Sequence, residues 1–448
     1  MKDSTVSSFD SRVPAVLLRL DRNPFHHGTL GAVRSLGRAG IEVHAVVEAA
    51  KSPVSRSRYL TRTHLRPDGG LDLAGIQRLL LSLADELSTP AVLIAMDDLS
   101  AIAISRLRPE LTGRYLLPDQ PSGLPERVAD KAALVEICER LAIPHPRTVI
   151  PGSAEEAAAA VWSLGLPVVA KWSRPWLLPE GAGLRSTQVI RSPQEARELY
   201  GCGAAAGSPL LFQRFLPPGR DLDWFFHGYA GNDGDLLVGA AGRKERSWPV
   251  AAGLTAVGRW LPNPEVERTA RQVVGALGYR GILDLDFRLE TATGAYHLLD
   301  FNPRPGAQFR LFTDRAGTDV VRALHLDLTG RAVPAGAPAI GRTFLVENYA
   351  LLSVLSGGLT RRTDRSPGQP TAPAGPARGG SETAWFALDD PLPAFAMAVA
   401  WVLHVARRGW RRLRRADAGE RPRANALRQR RRTPRETVEA DRSTPVSS

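Results

Sequence analysis

Two stretches past the middle of the chain concentrate oxygen donors in otherwise apolar surroundings. Gly281-Ile282-Leu283-Asp284-Leu285-Asp286-Phe287-Arg288 is followed, after a turn, by Tyr296-His297-Leu298-Leu299-Asp300-Phe301-Asn302-Pro303-Arg304. Read as a hairpin, this places Asp286 on one strand and Asp300 with Asn302 at the end of the next. Residues two apart on an extended segment share a face, so Asp300 and Asn302 point the same way. Carboxylate and amide oxygens converging from neighbouring strands suit Mg²⁺, a hard cation that fills the rest of its shell with phosphate oxygens and water. Arg304 brings positive charge to a phosphate oxygen. A lone strand aspartate is more often an edge acid paired with a surface arginine. Two acids, an asparagine and an arginine within about twenty residues of apolar strand would be costly to bury without a cation.

Lysine is scarce, occurring only at Lys2, Lys51, Lys131, Lys171 and Lys244, while arginine supplies the other basic positions. Each internal lysine therefore stands out. Lys171 ends the apolar run Pro167 to Ala170, and an ammonium on a rigid strand is a positioned point charge; the plain alternative for it and for Lys131 is a solvated lysine.

The elements that must hold these groups follow from hydrophobic periodicity. Strand, helix and strand are expected at Ala15–Leu18, Gly31–Ala39 and Ile41–Val47, then a helix at Leu71–Leu87 and an apolar strand at Ala91–Ala95 ending in Met96-Asp97-Asp98. This is a parallel α/β unit, whose ligands sit at strand ends. Pro118, Pro121 and Pro125 mark a boundary before a helix at Lys131–Leu141. Beyond it an α+β segment is expected, with strands at Pro167–Lys171, Gln188–Arg191, Leu210–Phe215, Asp223–Tyr229, Leu236–Ala240, Ile282–Leu289 and Tyr296–Asp300, and helices at Pro193–Leu199 and Pro264–Leu277.

Asp286-Phe287 with Asp300-Phe301-Asn302-Pro303-Arg304 resembles the metal-binding signature of the ATP-grasp superfamily, commonly an acid and then Glu-x-Asn-Pro-Arg; here Asp300 replaces the Glu. The resemblance implies an ATP-grasp fold preceded by a Rossmann-like pre-ATP-grasp domain. It further implies Asp286, Asp300 and Asn302 as ligands of Mg²⁺, or alternatively Mn²⁺, and Lys131 and Lys171 as contacts of the ATP phosphates. Gly181-Ala182-Gly183 resembles the loop that closes over those phosphates, Gly181 and Gly183 letting backbone N–H groups approach the anion; a surface hairpin is the alternative. Leu210–Leu216 resembles the strand that holds adenine, with Gln213 and the main chain near Phe215 reading the base edge and Asp221 taking the ribose hydroxyls, although Arg214 stands where relatives often have Glu. Gly242-Arg243-Lys244-Glu245-Arg246, with Pro249 and Gly253, resembles the Arg-Lys-x-Arg segment of carboxylate-amine ligases related to D-aspartate ligase. There Arg243 and Arg246, with Arg304, would clamp a carboxylate or an acyl phosphate; an exposed basic hairpin tip is the alternative. Gln308 and Arg310 are further candidates for substrate contact. The implied activity is an ATP-dependent carboxylate-amine ligase acting on small-molecule carboxylate and amine substrates. A degenerate ATP-binding regulatory or scaffold protein is the competing class.

The expected domains are 1–117 (pre-ATP-grasp), 118–340 (ATP-grasp), 341–356 (closing segment), 357–384 (a Pro-, Gly- and Ser-rich linker) and 385–448 (amphipathic helix and flexible basic tail). The chain has 448 residues and a formal net charge of +12. The stretch 407–432 holds twelve arginines against Asp417 and Glu420 and so carries +10, leaving the body nearly neutral. A basic cluster directly after the apolar run Leu392–Ala406 favours an anionic membrane surface as partner of residues 392–415; a solvated or partner-binding tail is the alternative, and nucleic acid the weakest reading. Two distant cysteines, Cys138 and Cys202, and the lack of a signal peptide or an apolar run of about 18–20 residues fit a cytoplasmic protein, peripheral on the inner face of the cell membrane if the tail docks there. A homo-oligomer is left open.

Overall fold

The computed structural model describes residues 9–69, 71–179, 183–248, 254–360 and 380–407. Gly181, Pro249, Gly253, most of the expected linker and the arginine cluster beyond Arg407 lie outside them. Two compact units are present, Met1–Ala396 and Met397–Ser448, and the first contains three sheets.

The first sheet is the expected parallel unit. β1 (Ala15–Leu18), β2 (Val43–Val47), β3 (Arg62–Leu65), β4 (Ala91–Ala95) and β5 (Tyr115–Leu116) lie in the order β3-β2-β1-β4-β5. β1 and β2 are buried throughout, as strands covered on both faces by crossover helices must be. The order reverses between β1 and β4, and chain segments leaving their C-terminal ends face a common crevice. Asp97 joins those ends: its carboxylate accepts the backbone N–H of Leu20 (2.6 Å), Asp21 (3.1 Å) and Ser100 (2.8 Å), capping the helix Asp98–Arg106. The first helix begins at His27, ahead of the expected Gly31, because the His26 imidazole accepts the Thr29 N–H and caps it.

The second sheet, β6 (Thr148–Val149), β7 (Val168–Trp172), β8 (Thr187–Ile190) and β9 (Leu210–Arg214), is antiparallel in the order β6-β9-β7-β8. Helices Ala154–Leu164 and Pro193–Gly201 bury Ala157, Val161 and Ala196 with Val168, Ala170 and Phe212 of the strands. The third sheet comprises β10 (Asp223–Ala230), β11 (Leu236–Trp248), β12 (Leu254–Trp260), β13 (Gly281–Leu289), β14 (Tyr296–Asn302), β15 (Thr343–Leu345) and β16 (Ser381–Thr383) in the order β14-β13-β10-β11-β12-β15-β16. Phe226, Leu283, Leu285 and Phe301 form its core with Val266, Val273 and Val274 of the helix Pro264–Leu277.

Two expectations need correction. β11 does not stop at Ala240 but runs through Trp248, so residues 242–246 are mid-strand and not a hairpin tip. The stretch read as linker, 357–384, is not all linker: a helix reaches Thr360, and Ser381–Thr383 pairs in parallel with β15. Glu382 fixes that strand by receiving Arg310 (3.0 Å) and Arg342. Arg310 also pairs with Asp319 at 2.6 Å; expected as a substrate contact, it is a buried structural link.

The segment after β16 is bound to the first helix by one buried arginine. Arg34, 4% exposed, donates to the Asp390 carboxylate (2.9 Å) and to the backbone oxygens of Ala384 (3.3 Å), Trp385 and Asp390 (both 2.7 Å). Arg34→Ala leaves three carbonyls and a carboxylate without that cation. The expected loss is about 3–5 kcal/mol, typical of breaking a buried charge pair, measured as the shift in urea unfolding; a shift below about 1 kcal/mol would mean that the segment is held by other contacts.

Candidate active site

A cavity of about 630 Å³ opens between the second and third sheets. Its walls come from β7, β8 and β9 on one side (Val169, Lys171, Gln188, Gln213) and from β11, β13 and β14 on the other (Lys244, Asp284, Asp286, Asp300). Sheet pairing explains the cluster of acids. In the β13–β14 register Asp286 faces Asp300 and Asp284 faces Asn302, so hairpin geometry delivers four polar side chains to neighbouring positions.

Three lysines neutralise these acids. Lys131 approaches Asp300 at 2.7 Å and Lys171 approaches it at 3.4 Å, while Lys171 also donates to the Leu299 carbonyl at 3.1 Å. Lys244 meets Asp286 at 2.7 Å. The titration shifts follow from this arrangement. Burial pushes the Asp300 carboxyl up, but Lys131 and Lys171 outweigh it and hold the group well below the usual carboxylate range. Asp286 is raised, because burial and then its neighbours Asp284 and Asp300 outweigh Lys244. Burial pulls Lys171 down, only partly offset by Asp300, with Lys131 adding to the fall. Lys244 is raised, since Asp286 outweighs its burial.

Arg304 sits at the junction of this cluster with the first sheet. It donates to Asp284 at 2.8 Å and meets Asp98, the first residue of the helix after β4, at 3.3 Å. Asp284 is 6% exposed at its side chain and is also approached by His227 Nε2 at 3.1 Å; burial raises its pKa, but His227, Arg304 and Lys244 bring it to about 2. Only glycine fits at position 306 beneath this group, since a Cβ there would lie 2.2 Å from His227 Cε1 and 2.9 Å from Asp284 Cγ.

The structure brings Lys131, Lys171, Asp286, Asp300, Asn302 and Arg304 into one group. Gln213 and Phe215 lie on the cavity wall as well, the amide of Gln213 donating to Thr148 Oγ1 at 3.1 Å. Gly183 is exposed, with φ +73° in the left-handed region that favours glycine. Asp221 does not line the cavity; it receives Arg243 at 3.3 Å, and Asp223 is the acid on the wall. Arg243 is engaged by Glu245 at 2.8 Å and stacks over Trp224, and Arg246 is exposed. Sequence reasoning missed Lys244, Asp284, His227 and Asp98 as members of the group. Lysine scarcity was a usable signal for Lys244, and the two-residue step from Asp286 was one for Asp284; nothing local marks His227.

Among the described residues no three His, Cys, Asp or Glu side chains form a ready metal cage. The donors present, two carboxylates and the Asn302 amide, nevertheless fit Mg²⁺, which is commonly held by one or two carboxylates and completes its octahedron with phosphate oxygens and water.

No family model matches the chain. Over 305 residues it is 22% identical to D-aspartate ligase of Enterococcus faecium (strain Aus0004), covering 65% of this chain and 71% of that one. Among solved structures it is similar to the biotin carboxylase domain of Hydrogenobacter thermophilus 2-oxoglutarate carboxylase in complex with MgADP, ADP and bicarbonate, with a TM-score of 0.54 and 18% identity over 72% of this chain and 71% of that one. It is also similar to L-amino acid ligase from Bacillus licheniformis, with a TM-score of 0.51 and 14% identity over 70% and 74%. With the parallel unit leading into two sheets that enclose a lysine-neutralised acid cluster, the chain has the ATP-grasp fold, and in sequence it is similar to a carboxylate-amine ligase of that fold.

Proposed function

We propose that the chain is an ATP-dependent carboxylate-amine ligase that forms an amide through an acyl phosphate. The observation that carries this reading is the pairing of Asp286 and Asp300, on the cavity wall, with Lys244, Lys131 and Lys171. Such a cluster is matched in charge to a triphosphate with its metal. Asp286, Asp300 and Asn302 would hold Mg²⁺, with Mn²⁺ as a substitute, and Lys131, Lys171 and Lys244 would meet the phosphate oxygens. When bound, that ion supplies neutralisation of the β- and γ-phosphate charge. Gln213 and Phe215 hold adenine, and Asp223, in place of Asp221, takes the ribose.

In the first step a carboxylate oxygen attacks the γ-phosphorus, the bond from that phosphorus to the β–γ bridging oxygen breaks, and ADP leaves. In the second, the lone pair of a neutral amine attacks the acyl carbon, the carbon–oxygen bond to phosphate breaks, and the amine proton passes to phosphate or water. Arg304 stabilises the charge on the reacting carboxylate and Arg246 supplies the outer clamp, while Arg243, held by Glu245 and Asp221, adds positive charge beside it. Positioning and charge neutralisation provide most of the rate, as in other phosphoryl transfers.

The test is release of ADP and phosphate from Mg²⁺-ATP against pooled amino acids and small carboxylates. Release that needs both an acid and an amine supports the ligase. Tight ATP binding without ADP formation across all mixtures would instead support a nucleotide-binding protein without turnover, a reading favoured by Asp300 in place of the usual Glu. Absence of ATP binding would refute both.

A further inference from the structure

Residues 392–407 form a helix that turns a stripe of apolar side chains to water while Met397 is buried. Leu392, Phe395, Val399 and Val402 are 62%, 65%, 62% and 60% exposed, and Leu403 and Val405 about half exposed. Steps of three, four and three residues place the first four on one stripe. Between 392 and 406 there is no Asp, Glu, Lys or Arg. Single exposed apolar residues are ordinary, but a contiguous stripe marks a surface made for contact. No helix among the described residues is long and apolar enough to cross a membrane.

The sequence that follows selects the occupant. Twelve arginines against two acids between 407 and 432 continue directly from the stripe. An apolar protein groove would cover the stripe and give the arginines no partner. A nucleic acid would satisfy the arginines and leave the stripe in water. A bilayer with anionic headgroups serves both, apolar side chains entering the acyl boundary and arginines binding the headgroup charge. We propose that the 392–407 helix docks in the plane of an anionic phospholipid surface, anchored by Leu392, Phe395, Val399 and Val402 and by the arginines after it. This is independent of the ligase reading, because none of the described residues of the stripe lines the cavity.

The test is flotation of the full chain with vesicles of phosphatidylcholine alone and of phosphatidylcholine mixed with phosphatidylglycerol. The protein is expected to float with the mixed vesicles and to lose binding about tenfold when phosphatidylglycerol is omitted or the salt is raised. The triple variant Phe395→Glu, Val399→Glu, Val402→Glu is expected to lose binding by a similar factor with an unchanged thermal melt. The variant Arg411→Gln, Arg412→Gln, Arg414→Gln, Arg415→Gln is expected to lose the preference for phosphatidylglycerol. The proposal is overturned if the parent floats with neither vesicle, if the glutamate variant floats as well as the parent, or if light scattering shows a dimer that the glutamate variant breaks without any flotation. The last result would assign the stripe to a second copy of the chain.

Discussion

Asp286→Ala is expected to lower ADP release by about 10²–10³-fold, the range seen when one preorganised electrostatic contact to a transition state is removed, while the fold persists. The substitution takes a carboxylate from the centre of the cavity and leaves Lys244 beside an alanine. Both side chains of that pair reach the cavity, being 25% and 18% exposed, so water can solvate the freed ammonium. The stability cost is therefore about 1–2 kcal/mol, below the roughly 3–5 kcal/mol of a fully enclosed pair. A large fall in turnover with a small fall in melting temperature separates this site from a structural ion pair. ADP release within about threefold of the parent would remove Asp286 from the site. Lys244→Met sharpens the test: if Lys244 only shields Asp286, its loss lowers the Mg²⁺ concentration needed for half-maximal rate. If it touches the transferred phosphoryl group, kcat falls and the Mg²⁺ requirement stays.

What could be read from the sequence follows how local each feature is. The β13–β14 hairpin brings Asp286, Asp300 and Asn302 together within one short segment, so alternation along two strands was enough to find them. Lys171 was legible because a lysine closing an apolar strand is conspicuous in a chain with few lysines. His227 and Asp98 were not, since their meaning comes from contacts with Asp284 and Arg304 made by separate elements, the β10 strand and the helix that follows β4. The charged middle of β11 was misjudged for the same reason. Its basic residues look solvent-directed when only neighbours in sequence are counted, yet Lys244 is paired with Asp286 on β13, and Arg243 with Asp221 beyond the start of β10. The link from Arg34 to Asp390 spans most of the chain, and no local pattern announces a contact of that length.

Arg304→Leu is expected to cost both stability and turnover, and the two losses have separable causes. Arg304 is the shared cation of Asp284 on the third sheet and Asp98 after β4 of the first. Without it Asp284 keeps His227, the Asn302 amide and the charge of Lys244, and a buried carboxylate loses its nearest donor. About 3–5 kcal/mol of unfolding free energy should be lost at neutral pH, readable as a lower urea midpoint. The pH dependence gives the sign. Asp284 titrates near 2 in the folded chain against about 3.9 for a free aspartate. Its stabilisation is thus complete above the unfolded value and is lost as pH falls through the folded one. The gap between parent and variant should accordingly be full above about pH 5 and narrow as pH falls toward 2. Adding Asp284→Asn to Arg304→Leu should cost less than the two single changes summed, because they share one interaction. A gap that is flat with pH, together with strict additivity, would mean that Arg304 stabilises through packing and not through Asp284. Turnover lost in Arg304→Leu but partly restored in Arg304→Lys, which keeps the charge and loses the fork, would assign the arginine to the reacting carboxylate as well as to the junction of the two sheets.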